Sequence, residues 1–233
     1  MSRDVRVSAR FPAAVSHPPC TVRSMSHSAN RLAVIDLETT GLEPSTGLIL
    51  EIGVVIIDET LTERGGLAVL VDSPDAVAWA KDARRRDGDG GCLTVAEEMH
   101  LRNGLIDELL AGAGPTPRAG SVEAAAAVIA AGLDAHGICE PVPMVGSSVR
   151  SLDAPFLEVH APALAARFTH RTIDASALTE FAFLVDRDGL ETVMAGLPGS
   201  NHRTLGDCRR SLEILRRFAT HYGIGAVAAA SVG

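Results

Sequence analysis

The chain lacks several features that would each have pointed to a class of function. No apolar run reaches the roughly 18 residues needed to span a bilayer, so the 233-residue sequence reads as a soluble protein with no membrane partner. Its four cysteines, Cys20, Cys92, Cys139 and Cys208, are scattered with no C-x-x-C spacing. That argues against a zinc site or a disulfide frame and suggests reduced thiols in a cytoplasmic setting. Basic excess is missing too, since the net charge is −8. Tracking a long polyanion requires many Lys and Arg contacts to phosphate, so any nucleic acid bound here should be short and gripped at a few points. No internal repeat is visible.

What is present suits one α/β domain with tails. A hydrophobic content of 46% over this length can bury one good core. Residues 1–30 are rich in Arg and Ser, nearly free of acid and interrupted by Pro18-Pro19. They read as a disordered tail; a transit peptide, or translation beginning at Met25, are the other readings. The low-complexity stretch 223–233 reads as a flexible C-terminal tail. Between them the pattern predicts strands at 31–37, 50–58, 66–72, 142–146 and 171–174. Helices are expected across 93–112, 121–136, 153–167, 176–185 and 204–221. The alanine-rich 121–136 reads as a buried helix, Asp82–Gly91 as a turn-rich charged loop, and Thr204 as the N-cap of the last helix. Three strands followed by alternating helices and strands imply a mixed sheet with helices on its faces.

The chemistry is concentrated in three short segments. In RLAVIDLETTGL, Asp36 and Glu38 lie two apart at the end of an apolar strand, so both carboxylates project to one side. Solvated acids at a strand end are common; two losing hydration together require a compensating cation. Asp153 follows an apolar strand and the small-residue turn GSS. Asp207 falls in the first turn of a helix, and His202 precedes that helix on a segment free to swing. Each of these acids alone would read as a helix N-terminal acid favoured by the macrodipole. Glu51 sits inside LILEIGVVII, where a buried acid is costly unless paired; it reads as structural.

In their order along the chain these segments resemble the exonuclease superfamily with four acidic metal ligands and a histidine base, on a ribonuclease H-like fold, and within it the oligoribonuclease family. Asp36 and Glu38 match the first motif, Asp153 the second, and His202 with Asp207 the third. Met99–Leu105 and residues 146–182 carry the resemblance to oligoribonucleases, which spans roughly 31–222. Three details depart from that pattern. Val95 stands near the place of the usual tryptophan, His170 stands where a tyrosine is usual, and the His202–Asp207 segment reads more like proofreading DNA exonucleases.

The resemblance implies a metal-dependent 3′-to-5′ exoribonuclease that releases 5′-mononucleotides from very short RNAs, dinucleotides included. Asp36, Glu38, Asp153 and Asp207 would hold two Mg²⁺ or Mn²⁺ ions, the cations that hard carboxylate ligands select, and His202 would take the proton of the attacking water. Leu42 would wedge between the last two bases, and His100 would lie beside them, the alternative being a packed helix-end histidine. Ser148, Arg171 and Ser176 would close on the 5′ phosphate, with His170 of a homodimer partner stacking over the base; alternatively Arg171 makes a surface ion pair. Two rivals remain open at the level of sequence: the same chemistry on single-stranded DNA 3′ ends, and a non-catalytic nucleic-acid-binding module.

Overall fold

The computed structural model describes residues 31–225. The readings for 1–30, with the N-terminal tail and the Met25 start, fall outside them, as does the C-terminal tail beyond residue 225. Six strands are present: β1 (Leu32–Thr39), β2 (Ile49–Ile57), β3 (Glu63–Val71), β4 (Arg118–Ala119), β5 (Val142–Gly146) and β6 (Phe168–Asp174). They form a single mixed sheet in the order β4-β3-β2-β1-β5-β6. β1 and β3 run antiparallel to β2, while β5 and β6 continue from β1 in parallel. β2, with the sequence ILEIGVVII, is buried along its whole length, as a β-branched central strand covered on both faces should be. The expected ribonuclease H-like mixed sheet flanked by helices is therefore the observed architecture.

The strand period of two assigns the core to two faces. On one face, Ala33, Ile35, Ile52 and Val54 pack with α4 (Val122–Ala135), α5 (Asp153–His160) and α6 (Pro162–Ala165). On the other, Val34, Val55 and Ile57 meet α7 (Ala175–Val185), α8 (Arg187–Met194) and α9 (Thr204–His221). Asp36, Glu38, Glu51 and Gly53 share the parity of this second face, so the acids look toward α9. A third cluster joins Leu50 and Leu70 to α1 (Pro74–Gly88) and α3 (Leu105–Ala111), with α2 (Val95–Arg102) beside it. None of the described helices is long and apolar enough to cross a membrane.

Several local expectations are corrected. Most of Asp82–Gly91 is not a loop but the second half of α1. Its arginines are good helix formers and find acids a turn away, Arg85 at 2.6 Å and Arg86 at 3.1 Å from Asp82. Ala76, Ala80 and Ala83 supply a buried stripe that the charged composition hides. The helix expected over 153–167 stops at His160 and restarts at Pro162, where the ring removes the backbone donor a continuous helix would use. The alanine-rich α4 is one-sided rather than buried throughout, with Ala125, Ala126, Ile129 and Leu133 inward. α8 went unpredicted; its start is capped by Asp186, which accepts from the Gly189 N–H at 3.0 Å.

Candidate active site

β1 and β2 pair so that Asp36 lies opposite Gly53 and Glu38 opposite Glu51. Gly53 has a specific task. A Cβ there would stand 2.3 Å from Thr204 Oγ1, so only glycine lets the first turn of α9 settle onto the sheet. That approach brings Asp207 over β1, and Asp36, Glu38 and Asp207 each offer a carboxylate oxygen within 4.8 Å of the others.

Asp153 reaches the same place from the other edge of β1. β5 pairs with β1 only at Ala33 and Val34, which leaves later β1 amides without a strand partner on that side. Asp153 Oδ1 accepts one of them, the Leu37 N–H between the two acids, at 2.9 Å. Asp153 thus joins the cleft from the start of α5, although it lies outside the tight triple.

The electrostatics are those of acids awaiting a cation. Burial, then repulsion from Asp153, Glu38 and Asp207, holds the Asp36 carboxyl well above its usual range. Burial, then the charges of Asp207 and Glu51, pushes Glu38 up to about 8. Burial pushes Asp153 up to about 7 despite the N–H bonds that favour its charged form. Asp207 Oδ2 accepts from Ser200 Oγ at 2.6 Å, whereas its buried Oδ1 has no hydrogen-bond partner. A buried carboxylate oxygen without a partner is costly. A hard, all-oxygen donor set with one unsatisfied oxygen fits a divalent cation.

Arg203 does not supply the missing charge, because it is engaged elsewhere. Its guanidinium binds Glu51 at 2.7 Å and Glu108 at 2.7 Å. Glu51 Oε2 also accepts the Thr204 N–H and hydroxyl, at 2.9 and 3.0 Å. The Thr204 reading as N-cap is corrected here: Arg203 holds the cap position without a side-chain bond to the helix amides, and Glu51 from β2 performs the capping. The buried acid in the apolar run is paired, as its cost required.

His202 stands exposed at φ +51, with its N–H on Ser200 Oγ at 3.1 Å and its carbonyl accepting from Asn103 Nδ2. It lines, with Asp36, Glu38, Asp153, Asp207 and the rim residue Leu42, a cleft of about 270 Å³. Leu42 is 80% exposed, an apolar side chain held in solvent at the mouth.

The remaining expected residues lie outside that lining. His100 is fully buried; its Nε2–H donates to the Thr39 carbonyl at 2.9 Å, and burial lowers its pKa. It supports the end of β1 as a packed helix-end histidine, and its neighbour Met99 forms the cleft wall instead. Ser148 and Ser176 hydroxyls are 2.9 Å apart, and Asp174 Oδ1 accepts the Ser148 N–H at 3.0 Å and the Ser176 hydroxyl at 2.6 Å. His170 and Arg171 sit on the exposed stretch of β6. Asn103, Ser200, Arg203 and Glu108 were not singled out from the sequence, where nothing but the cost of burying Glu51 hinted at such partners.

No family model matches the chain. An oligoribonuclease of Aromatoleum aromaticum is 30% identical over 199 residues, covering 85% of this chain and 97% of that protein. The oligoribonuclease of Thiobacillus denitrificans is 31% identical over 199 residues, covering 85% and 98%. Among solved structures, a zinc-bound complex of Escherichia coli exonuclease I with single-stranded DNA superposes with a TM-score of 0.53 at 12% identity, over 87% of this chain and 42% of that one. A product-bound exonuclease I structure gives 0.51 at 10% identity, over 84% and 44%. The chain therefore spans about two fifths of those exonuclease chains, and at such identities the likeness concerns the fold alone.

Proposed function

The chain belongs to the oligoribonuclease family of metal-dependent exonucleases, and from that premise we propose that it is a 3′-to-5′ exoribonuclease degrading RNAs of two to a few nucleotides to 5′-mononucleotides. The observation that carries the reading is the triple of half-buried Asp36 and Asp207 with buried Glu38, with its unpartnered oxygen, in one small cleft with an exposed histidine. We take 31–222 as the catalytic domain, acting in the cytoplasm.

Asp36, Glu38, Asp153 and Asp207 would hold two Mg²⁺ or Mn²⁺ ions. When bound, those cations supply the Lewis-acid charge that stabilises a scissile phosphate and acidifies an attacking water. His202 accepts that water's proton on its imidazole. Glu51 and Arg203 hold the first turn of α9, and through it Asp207, against β1. Leu42 separates the last two bases at the mouth of the cleft.

Short length would be selected by Ser148, Arg171 and Ser176 closing on the 5′ phosphate, since a guanidinium and two hydroxyls suit a terminal phosphate and leave no exit for a longer strand. A homodimer would add His170 from the partner copy. Supporting that assembly, β6 and α7 hold Ile173, Leu178, Phe181, Leu184 and Val185 in solvent, a set of large apolar side chains on the strand that bears His170 and the helix that follows it. Arg171→Ala should weaken a 5′-phosphorylated dinucleotide roughly ten- to a hundredfold, the worth of charge-assisted hydrogen bonds, while a seven-mer loses little. Equal losses for both lengths, or a fully active monomer, would remove the cap from the account.

A further inference from the structure

His202 occupies a left-handed backbone conformation that residues with a Cβ avoid, on an exposed loop, so something must hold it there. Its peptide is gripped from two sides. On the amide side, His202 N–H donates to Ser200 Oγ at 3.1 Å, and the same hydroxyl donates to Asp207 Oδ2 at 2.6 Å. On the carbonyl side, the donor is Asn103 Nδ2, from the corner between α2 and α3. Asn103 is itself fixed. Its Oδ1 accepts the Leu105 N–H at 2.9 Å, which sets the oxygen end of the amide and leaves the nitrogen end between the His202 carbonyl and His100 Nδ1, the latter 3.5 Å away. Its backbone N–H is tied to the Met99 carbonyl at 3.0 Å, and Gly104 turns the chain sharply at φ +82. The next residue after His202 is held by the same helix pair, through Glu108 of α3 on Arg203.

We propose that Asn103 is a positioning residue for the hydrolysis, one that clasps the His202 carbonyl and so aims the imidazole at the carboxylate cluster while touching no substrate atom itself. This rests on the reading of His202 as the general base. Freed from Asn103, the His202 peptide keeps only the Ser200 hydrogen bond between the anchored Arg203 and the rest of the loop, and the imidazole samples positions away from the attacking water. A displacement of about an ångström in such a group costs up to roughly a hundredfold in rate.

Asn103→Asp separates the clasp from folding. The carboxylate keeps an acceptor for the Leu105 N–H, and its charge favours the start of α3 while opposing the end of α2, which Asn103 caps, but the donor to His202 is gone. Turnover of an RNA dinucleotide with Mg²⁺ would be measured for wild type, Asn103→Asp, His202→Ala and the double variant, with the melting temperature of each. Asn103→Asp should stay folded at the assay temperature with the wild-type KM, lose on the order of ten- to a hundredfold in kcat, and cost nothing further in the His202→Ala background. Should Asn103→Asp not fold, Asn103→Ala is read in the same cycle. Unchanged kcat in the Asn103 variant, or a loss that persists in full without His202, would overturn the clasp. Full activity in His202→Ala would instead remove the general base, and the clasp with it.

Discussion

Asp36→Asn should reduce phosphodiester hydrolysis to background while leaving the protein folded, and a chelator should do the same to the wild type. Asp36 is the hub of the cluster: Asp153, Glu38, Asp207 and Glu51 all raise its pKa, after burial, the largest cause. Converting it to an amide removes one of the three carboxylates that come within 4.8 Å of one another, and with it charge that retains cations. The same geometry makes the metal-free site a source of instability. Glu38 is pushed up from 4.5 to about 8 and Asp153 from 3.8 to about 7. Carboxyls whose pKa is raised by folding favour the fold while protonated. Their contribution is complete below about pH 4 and is lost as the pH climbs through 7 to 8. The melting temperature in chelator should therefore fall from about pH 5 to pH 8, and added Mg²⁺ should restore it by binding only the native state. Asp36→Asn should flatten that fall and gain roughly 4 °C at pH 8, the shift produced by ~1–2 kcal/mol in a domain of this size. Retained hydrolysis in Asp36→Asn would refute the assignment of the site.

His202→Ala should lower kcat by roughly a hundredfold to ten-thousandfold, the usual worth of a general base, with metal affinity nearly unchanged. The side chain is exposed, lines the cleft, and lies outside the carboxylate triple. Both groups that hold its backbone leave the imidazole itself uncommitted to the cluster. Isothermal titration with Mn²⁺ separates the roles: an affinity loss as deep as that of Asp207→Ala would make His202 a ligand instead.

The sequence exposes those parts of the site that are governed by local periodicity. Two acids two apart in a strand must share a face, and the structure places Asp36 and Glu38 together over α9. β5 and α9 fall at the boundaries their patterns predict, because an apolar run ending in a small-residue turn, and a long amphipathic stripe, are strong signals. Long-range pairing is what local pattern cannot supply. The capping of α9 by Glu51 crosses 153 positions and the Asn103 contact with His202 crosses 99. Residues 82–91 mislead for a different reason: their charge signals solvent exposure, which is correct, but a helix with an alanine stripe can be exposed on its other faces. His100 occupies an expected segment, yet its ring turns inward to the Thr39 carbonyl, a choice made by packing around Trp79 rather than by its own spacing.

The most direct measurement is the rate of cleavage of matched 5′-labelled RNA and DNA dinucleotides by the purified protein in Mg²⁺, with and without chelator. The RNA should be cut to 5′-mononucleotides at least about tenfold faster than the DNA, because discrimination rests on the 2′-hydroxyl, and both reactions should stop when the metal is withdrawn. Equal rates on the two substrates would contradict the RNA assignment, and cleavage that survives the chelator would contradict the carboxylate site itself.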